Sequence, residues 1–125
     1  MDSIWIVLAV PDPIDARRIV SHLESRGYAV DCASDADHAI ALAATRLYKV
    51  LVLDIRMPVA GGGEAMTRLR LVTGPPLKVI AIAAEWSGST RAELERKGID
   101  GYLTMPIDLK ALEQELHRVL DCPHR

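Results

Sequence analysis

Three stretches of this chain, IWIVLAV (4–10), KVLVLDI (49–55) and KVIAIAA (78–84), are apolar at consecutive positions rather than at alternate ones. A strand with one wet face alternates, so unbroken apolar runs this short indicate strands covered on both faces, as in a parallel sheet between helices. YAVDCA (28–33) is a fourth strand candidate and GIDGYLTM (98–105) a weaker fifth. The intervening segments carry helical stripes: Ala16, Ile19, Val20 and Leu23; Ala36, Ala39, Ile40 and Ala43; Leu109, Leu112, Leu116 and Val119. Gly27 and Gly98 stand where helices must stop, and Asp35 and Asp108 where helices can be capped. STRAELERKG, near 88–97, offers only Ala92 and Leu94 to a core and should be loosely held. Five strand-then-helix units predict an α/β, flavodoxin-like (βα)5 doubly wound sandwich with a five-stranded parallel sheet in the order 2-1-3-4-5.

Composition narrows the function. With 125 residues, half of them apolar, the chain can bury a core as one domain, expected over 1–121, with 122–125 as a tail or the start of a linker. A formal charge of −2 with interspersed acids and bases offers no basic stripe for nucleic acid and no polybasic segment for a membrane. The opening IWIVLAV is too short to span a bilayer and lacks a basic leader, which points to a cytoplasmic protein. Cys32 and Cys122 match no metal-ligand spacing and read as one strand residue and one tail thiol. His22, His38, His117 and His124 have no ligand geometry and read as solvated.

LVLDIRMP (51–58) raises the sharper question, because its strand ends in a lone carboxylate, Asp54. In a 2-1-3-4-5 sheet ligands bind beyond the carboxyl ends of strands 1 and 3, and Asp12 lies just past strand 1. Two carboxylates on one rim repel unless a cation sits between them, which suits Mg²⁺. Hydrogen bonding to local turns is an equally good reading of either acid from the residues alone.

LVLDIRMP followed by VAGGGEAM resembles the D-x-x-M-P-x-x-x-G block of the receiver domains of two-component response regulators, and RRIV (17–20) and GYLTMPIDLKAL (101–112) are similar to further segments of that family. The resemblance implies that Asp54 is the phosphoacceptor, with Pro58 and Gly62 in the following loop. It implies a metal shell of Asp12, Asp54 and the backbone carbonyl of Arg56 around Mg²⁺, and a sensor histidine kinase or histidine phosphotransfer protein as phosphoryl source. It further implies no enzymatic activity beyond gain and loss of the chain's own phosphoryl group. A carboxylate can take a phosphoryl group as an acyl phosphate while the metal neutralises its oxygens.

Four residues depart from the family's pattern. Pro11 stands where a first acid is usual, Ala83 where a serine or threonine meets the phosphoryl oxygen, and Met105 where a lysine precedes Pro106. Arg56 places a cation two residues after the acceptor. Losing one donor aimed at developing charge costs on the order of 10²–10³ in rate, so losing hydroxyl and lysine together should be crippling unless replaced. Arg56 is the expected replacement, and Arg56 with Glu85 would close over Asp54 as an ion-paired lid worth about 0–1 kcal/mol. Two carboxylates without a lysine sum to the same charge as three with one, so metal binding can outlive the chemistry.

In the family an aromatic corresponding to Tyr102 turns inward as the hydroxyl moves, remodelling the face made by the helix near 88–97, the strand at 98–105 and the helix from 109. Ala83 removes half of that relay; Tyr102 is then either fixed in one rotamer or simply a half-buried aromatic with its hydroxyl in water. Three readings follow. The first is an atypical receiver that accepts phosphate on Asp54. The second is a phosphorylation-independent pseudo-receiver that binds an effector or a second copy through that face. The third is a flavodoxin-like flavin-binding protein, which would be yellow. Trp86 is expected to pack over the sheet edge, and the GGG at 61–63 matches no nucleotide-loop motif.

Overall fold

The structure is a computed structural model and describes residues 4–55, 69 and 77–121. Its elements run β1 (Trp5–Ala9), α1 (Pro13–Ser25), β2 (Ala29–Ala33), α2 (Ala36–Ala43), β3 (Val50–Asp54), β4 (Lys78–Ala83), α3 (Gly88–Arg96), β5 (Gly101–Thr104) and α4 (Leu109–Asp121). All strands pair in parallel, in the order β2-β1-β3-β4-β5. The expected sheet is therefore present. The helix expected between the third and fourth strands lies, Leu69 apart, outside the described residues, as do Arg56, Pro58, Gly62, the GGG run, Cys122 and His124.

The unbroken apolar runs have the structural cause inferred for them. Successive strand residues point to opposite faces. Val7, Ala9, Leu51, Leu53, Val79 and Ala81 go to one buried cluster, with Ala36, Ala39, Ile40 and Ala43 of α2. Ile6, Leu8, Val50, Val52, Ile80 and Ile82 go to the other, with Ile19 and Leu23 of α1 and Leu112, Leu116 and Val119 of α4. Each fully buried aliphatic side chain contributes about 1.5–3 kcal/mol, so both clusters hold the sheet. By contrast α3 buries no residue; Ala92 is exposed and only Leu94 packs partly against the core.

The helix ends follow the residues expected to set them. Asp35 Oδ1 accepts from His38 N at 2.7 Å, Asp108 Oδ1 from Lys110 N at 2.9 Å, and Gly27 and Gly98 take φ of 93° and 101°. Such positive φ favours glycine after a helix.

The open edge of β5 is closed by α4. Glu115 Oε2 accepts from Tyr102 N at 2.8 Å, and Arg118 Nη2 donates to the Asp100 carbonyl at 2.7 Å while Arg118 Nε donates to Glu115 Oε1 at 2.8 Å. This occupies main-chain groups that an edge strand otherwise presents for pairing. The hydrogen bond from Arg118 holds the Glu115 carboxyl below its ordinary range, against burial and helped by the Tyr102 N–H.

One histidine, His22, departs from the solvated reading, whereas His38 is exposed as expected. His22 Nε2 lies 3.3 Å from Glu113 Oε2, while Glu113 Oε1 meets Arg26 Nε at 3.3 Å, so His22 ties α1 to α4. His38 Nδ1 accepts from Ser34 N at 3.0 Å. His117 and Cys32 are exposed.

Candidate functional site

Register brings the rim together. Ala9 of β1 lies beside Leu53 of β3, so Pro11 and Asp12 leave the sheet next to the end of β3, where Asp54 is the last strand residue. Asp54 in turn pairs with Ile82, and Ala83 pairs with Thr104. The alternation that sends Val50 and Val52 toward α1 and α4 sends Asp54 the same way. Asp54 is fully buried, the one charged residue so placed among the described residues. Burying a charge is costly unless it is compensated, so this position makes a demand on its surroundings that an aliphatic residue would not.

Asp12 is exposed and caps α1, its Oδ1 accepting from Ile14 N at 2.8 Å. The turn reading of Asp12 is thus seen, one of its oxygens serving the start of α1. Beside it an open hollow of about 580 Å³ is lined by Pro11, Asp12, Pro13, Asp15 and Met105. Met105, whose N–H donates to the Ala83 carbonyl at 2.9 Å, leans half-buried on the α1–α4 cluster. Arg18 closes this side of the rim: Nη2 donates to the Ile107 carbonyl at 2.8 Å and Nη1 lies 3.7 Å from Asp15. Ala83 is buried at the end of β4, whereas Glu85 is exposed, and its lid partner Arg56 is outside the described residues. No group of three potential metal ligands occurs among the described residues.

Tyr102 differs from the solvent-facing expectation. Its hydroxyl is buried and has no hydrogen-bond partner among the described residues. The ring meets Trp86 edge-on, with centroids 4.9 Å apart at 84°, and Arg91 stacks over it at 4.6 Å. Trp86 is itself fastened, Nε1 donating to the Leu103 carbonyl at 3.0 Å. Burial, then the charge of Glu95, pushes the Tyr102 phenol up, and Arg91 opposes this. The sequence placed Trp86 over the sheet edge; it could not show the bond to Leu103, which depends on how β5 sits beside the loop after β4. Asp15 and Arg18 were likewise missed, although their spacing on α1 was readable as an (i, i+3) pair.

Known proteins agree with this geometry. The family model of the response regulator receiver domain matches residues 7–117. TctD of Salmonella typhimurium, a transcriptional regulatory protein, is 34% identical over 110 residues, 85% of this chain but 49% of TctD. A 14.6 kDa protein encoded in the sodA1 3′ region of Leptolyngbya boryana is 36% identical over 104 residues, 82% of this chain and 79% of its own. The Vibrio cholerae chemotaxis protein CheY4 superposes with a TM-score of 0.86 over 94% of this chain and 99% of its own; at 24% identity it speaks for the fold alone. The receiver domain of the Pseudomonas aeruginosa sensor histidine kinase PA1611, 25% identical over 97% of this chain and 100% of its own, has a TM-score of 0.83 and holds a magnesium ion in its active-site cleft. This chain belongs to the response regulator receiver domain family of two-component systems.

Proposed function

We propose that this receiver domain accepts a phosphoryl group on Asp54 from a sensor histidine kinase or a histidine phosphotransfer protein, at a rate limited by an impaired pocket. The observation that carries the reading is a fully buried carboxylate at the end of β3, beside the point where the strand order reverses. A P–N bond of the donor histidine breaks as a P–O bond to an Asp54 carboxylate oxygen forms. Asp12 Oδ2, Asp54 and the backbone carbonyl of Arg56 are oxygen donors of the kind Mg²⁺ takes, and the metal supplies neutralisation of the phosphoryl oxygens. Ala83 offers a methyl where a hydroxyl is needed and Met105 a thioether where a charge is needed, so turnover should be slow. RcsC of Salmonella typhi, a sensor histidine kinase, is 27% identical over 115 residues, 12% of its length, which supports a partner of that kind.

The test is intact mass after incubation with Mg²⁺ and phosphoramidate, beside Asp54→Asn. An adduct of one phosphoryl group in the wild type alone supports the reading. No adduct with phosphoramidate or with a histidine phosphodonor protein refutes it.

The Trp86–Tyr102–Arg91 stack favours a second reading, a module that binds partners through the face of α3, β5 and α4 in one fixed conformation. Tyr102 is then held by neighbours rather than by the state of Asp54. Here partner binding should be unchanged in Asp54→Asn and lost in Trp86→Ala; loss in Asp54→Asn would remove this reading.

A further inference from the structure

Helix α2 begins with a bond that only one form of a histidine can make. Asp35 caps the helix, its Oδ1 accepting from His38 N at 2.7 Å. His38 answers with its ring: Nδ1 accepts from Ser34 N at 3.0 Å, and Ser34 Oγ lies 3.3 Å from the same nitrogen. The pair is reciprocal, like the capping box in which the third helical residue reaches back to the start of its own helix. A backbone N–H can only donate, so Nδ1 keeps its lone pair and the neutral ring carries its proton on Nε2. We propose that this cap is a pH-responsive latch, closed by neutral His38 and released when the ring takes a proton.

The donor count sets the sign. In the imidazolium both nitrogens carry protons, so Nδ1–H would point at Ser34 N–H and the ring must turn away. The carboxylates of its own turn, Asp35 and Asp37, favour the charged ring, so the two states differ in their contacts. Of the strands on which α2 packs, β1 brings no charge, Asp31 of β2 accepts from the Tyr48 hydroxyl at 2.6 Å, and Asp54 of β3 points to the opposite face of the sheet. His38 is exposed, so protons reach it directly, and imidazole is the side chain whose charge changes between about pH 5 and 8. The latch is therefore complete above that window and lost as pH falls through it. Three of the four side chains that this eight-residue helix buries are alanines, which leaves little packing to hold its first turn without the cap. Ala33 pairs with Ala9, so the latch stands at the same end of the sheet as Asp12, and acid would loosen that flank of the rim.

The test is nuclear magnetic resonance of the whole ¹⁵N-labelled chain between pH 8 and pH 5. The expected result is a His38 ring protonated on Nε2 alone at pH 8, and a Ser34 amide whose shift moves with the same midpoint as that ring. Exchange protection of the His38 and Ala39 amides, corrected for the intrinsic effect of pH, should fall about twofold to tenfold across the range, the effect of one neutral hydrogen bond. His38→Gln keeps an acceptor that does not titrate, so its Ser34 amide should stay in place and its protection should persist at pH 5. His38→Ala should show the lower protection at both ends of the range. A ring protonated on Nδ1 at pH 8, a Ser34 amide that does not follow the ring, or the same response in His38→Gln overturns the proposal. None of these readouts depends on whether Asp54 takes phosphate.

Discussion

Replacing Glu115 by glutamine tests whether α4 holds the β5 edge electrostatically. The carboxylate accepts from Tyr102 N at 2.8 Å and from Arg118 at 2.8 and 3.1 Å, and its side chain is 19% exposed, so these bonds are mostly shielded from water. Hydrogen bonds to charged groups contribute about 1.5–3 kcal/mol and neutral ones about 0.5–1.5. An amide keeps one oxygen for Tyr102 N–H but loses the charge, so the expected loss at pH 7 is about 1–2 kcal/mol. With a urea slope near 2 kcal/mol/M, the midpoint should fall by roughly 0.5–1 M. The carboxyl is held below its ordinary value of 4.5 in the folded chain, so protons bind the unfolded state more tightly. The stabilisation is therefore complete above pH 4.5 and is lost as pH falls through the lowered folded value. The gap between wild type and Glu115→Gln should narrow as pH falls from 6 to below 4.5, while other titrating groups, common to both proteins, cancel. Equal midpoints at pH 7, or an undiminished gap at pH 3.5, would refute the clamp.

Tyr102→Phe removes a buried hydroxyl that makes no well-formed hydrogen bond among the described residues, with only Arg91 and Glu95 facing it, and should leave thermal stability unchanged or raise it, since an unsatisfied group costs about 1–3 kcal/mol; a loss above about 1 kcal/mol would mean that Arg91 or Glu95 bonds the hydroxyl. Leu116→Ala, at a fully buried position between α4 and the sheet, should cost about 2–5 kcal/mol in chemical denaturation. Ala83→Thr with Met105→Lys should raise the initial rate of phosphoryl uptake from phosphoramidate by at least about 10²-fold, read by intact mass, and no increase would show that neither position limits the reaction.

The fold was readable because its signals are local. A run such as VLVLD can stay apolar throughout only if both faces are covered, and Asp35 or Gly27 acts on its own helix end. The weakness of α3 was readable for the same reason, since STRAELER has too few apolar side chains for any packing to use. The site was readable only in part. Asp54 and Asp12 follow from strand ends and topology, but the burial of the Tyr102 hydroxyl arises from Trp86 reaching the Leu103 carbonyl and Arg91 crossing from α3. Those contacts join residues on three different elements, and no periodicity encodes them. Glu115 was hidden similarly: on α4 it reads as one more surface acid until β5 is laid alongside.

The residues expected to impoverish the pocket, Pro11, Ala83 and Met105, suit the scaffold. Ala83 is 2% exposed, and a hydroxyl there would need a partner on folding, whereas a methyl needs none. Met105 packs on the α1–α4 cluster with an adaptable thioether, where a lysine would have to carry its charge past that cluster to the rim. Pro11 carries no charge and so adds no like-charge repulsion beside Asp12. Stability and pocket chemistry therefore pull these three positions in opposite directions, the trade-off expected where a reactive site is built from strained charges. Asp54 runs against that trend. It is the fully buried acid of β3, at a position where an aliphatic side chain would pack without a desolvation cost.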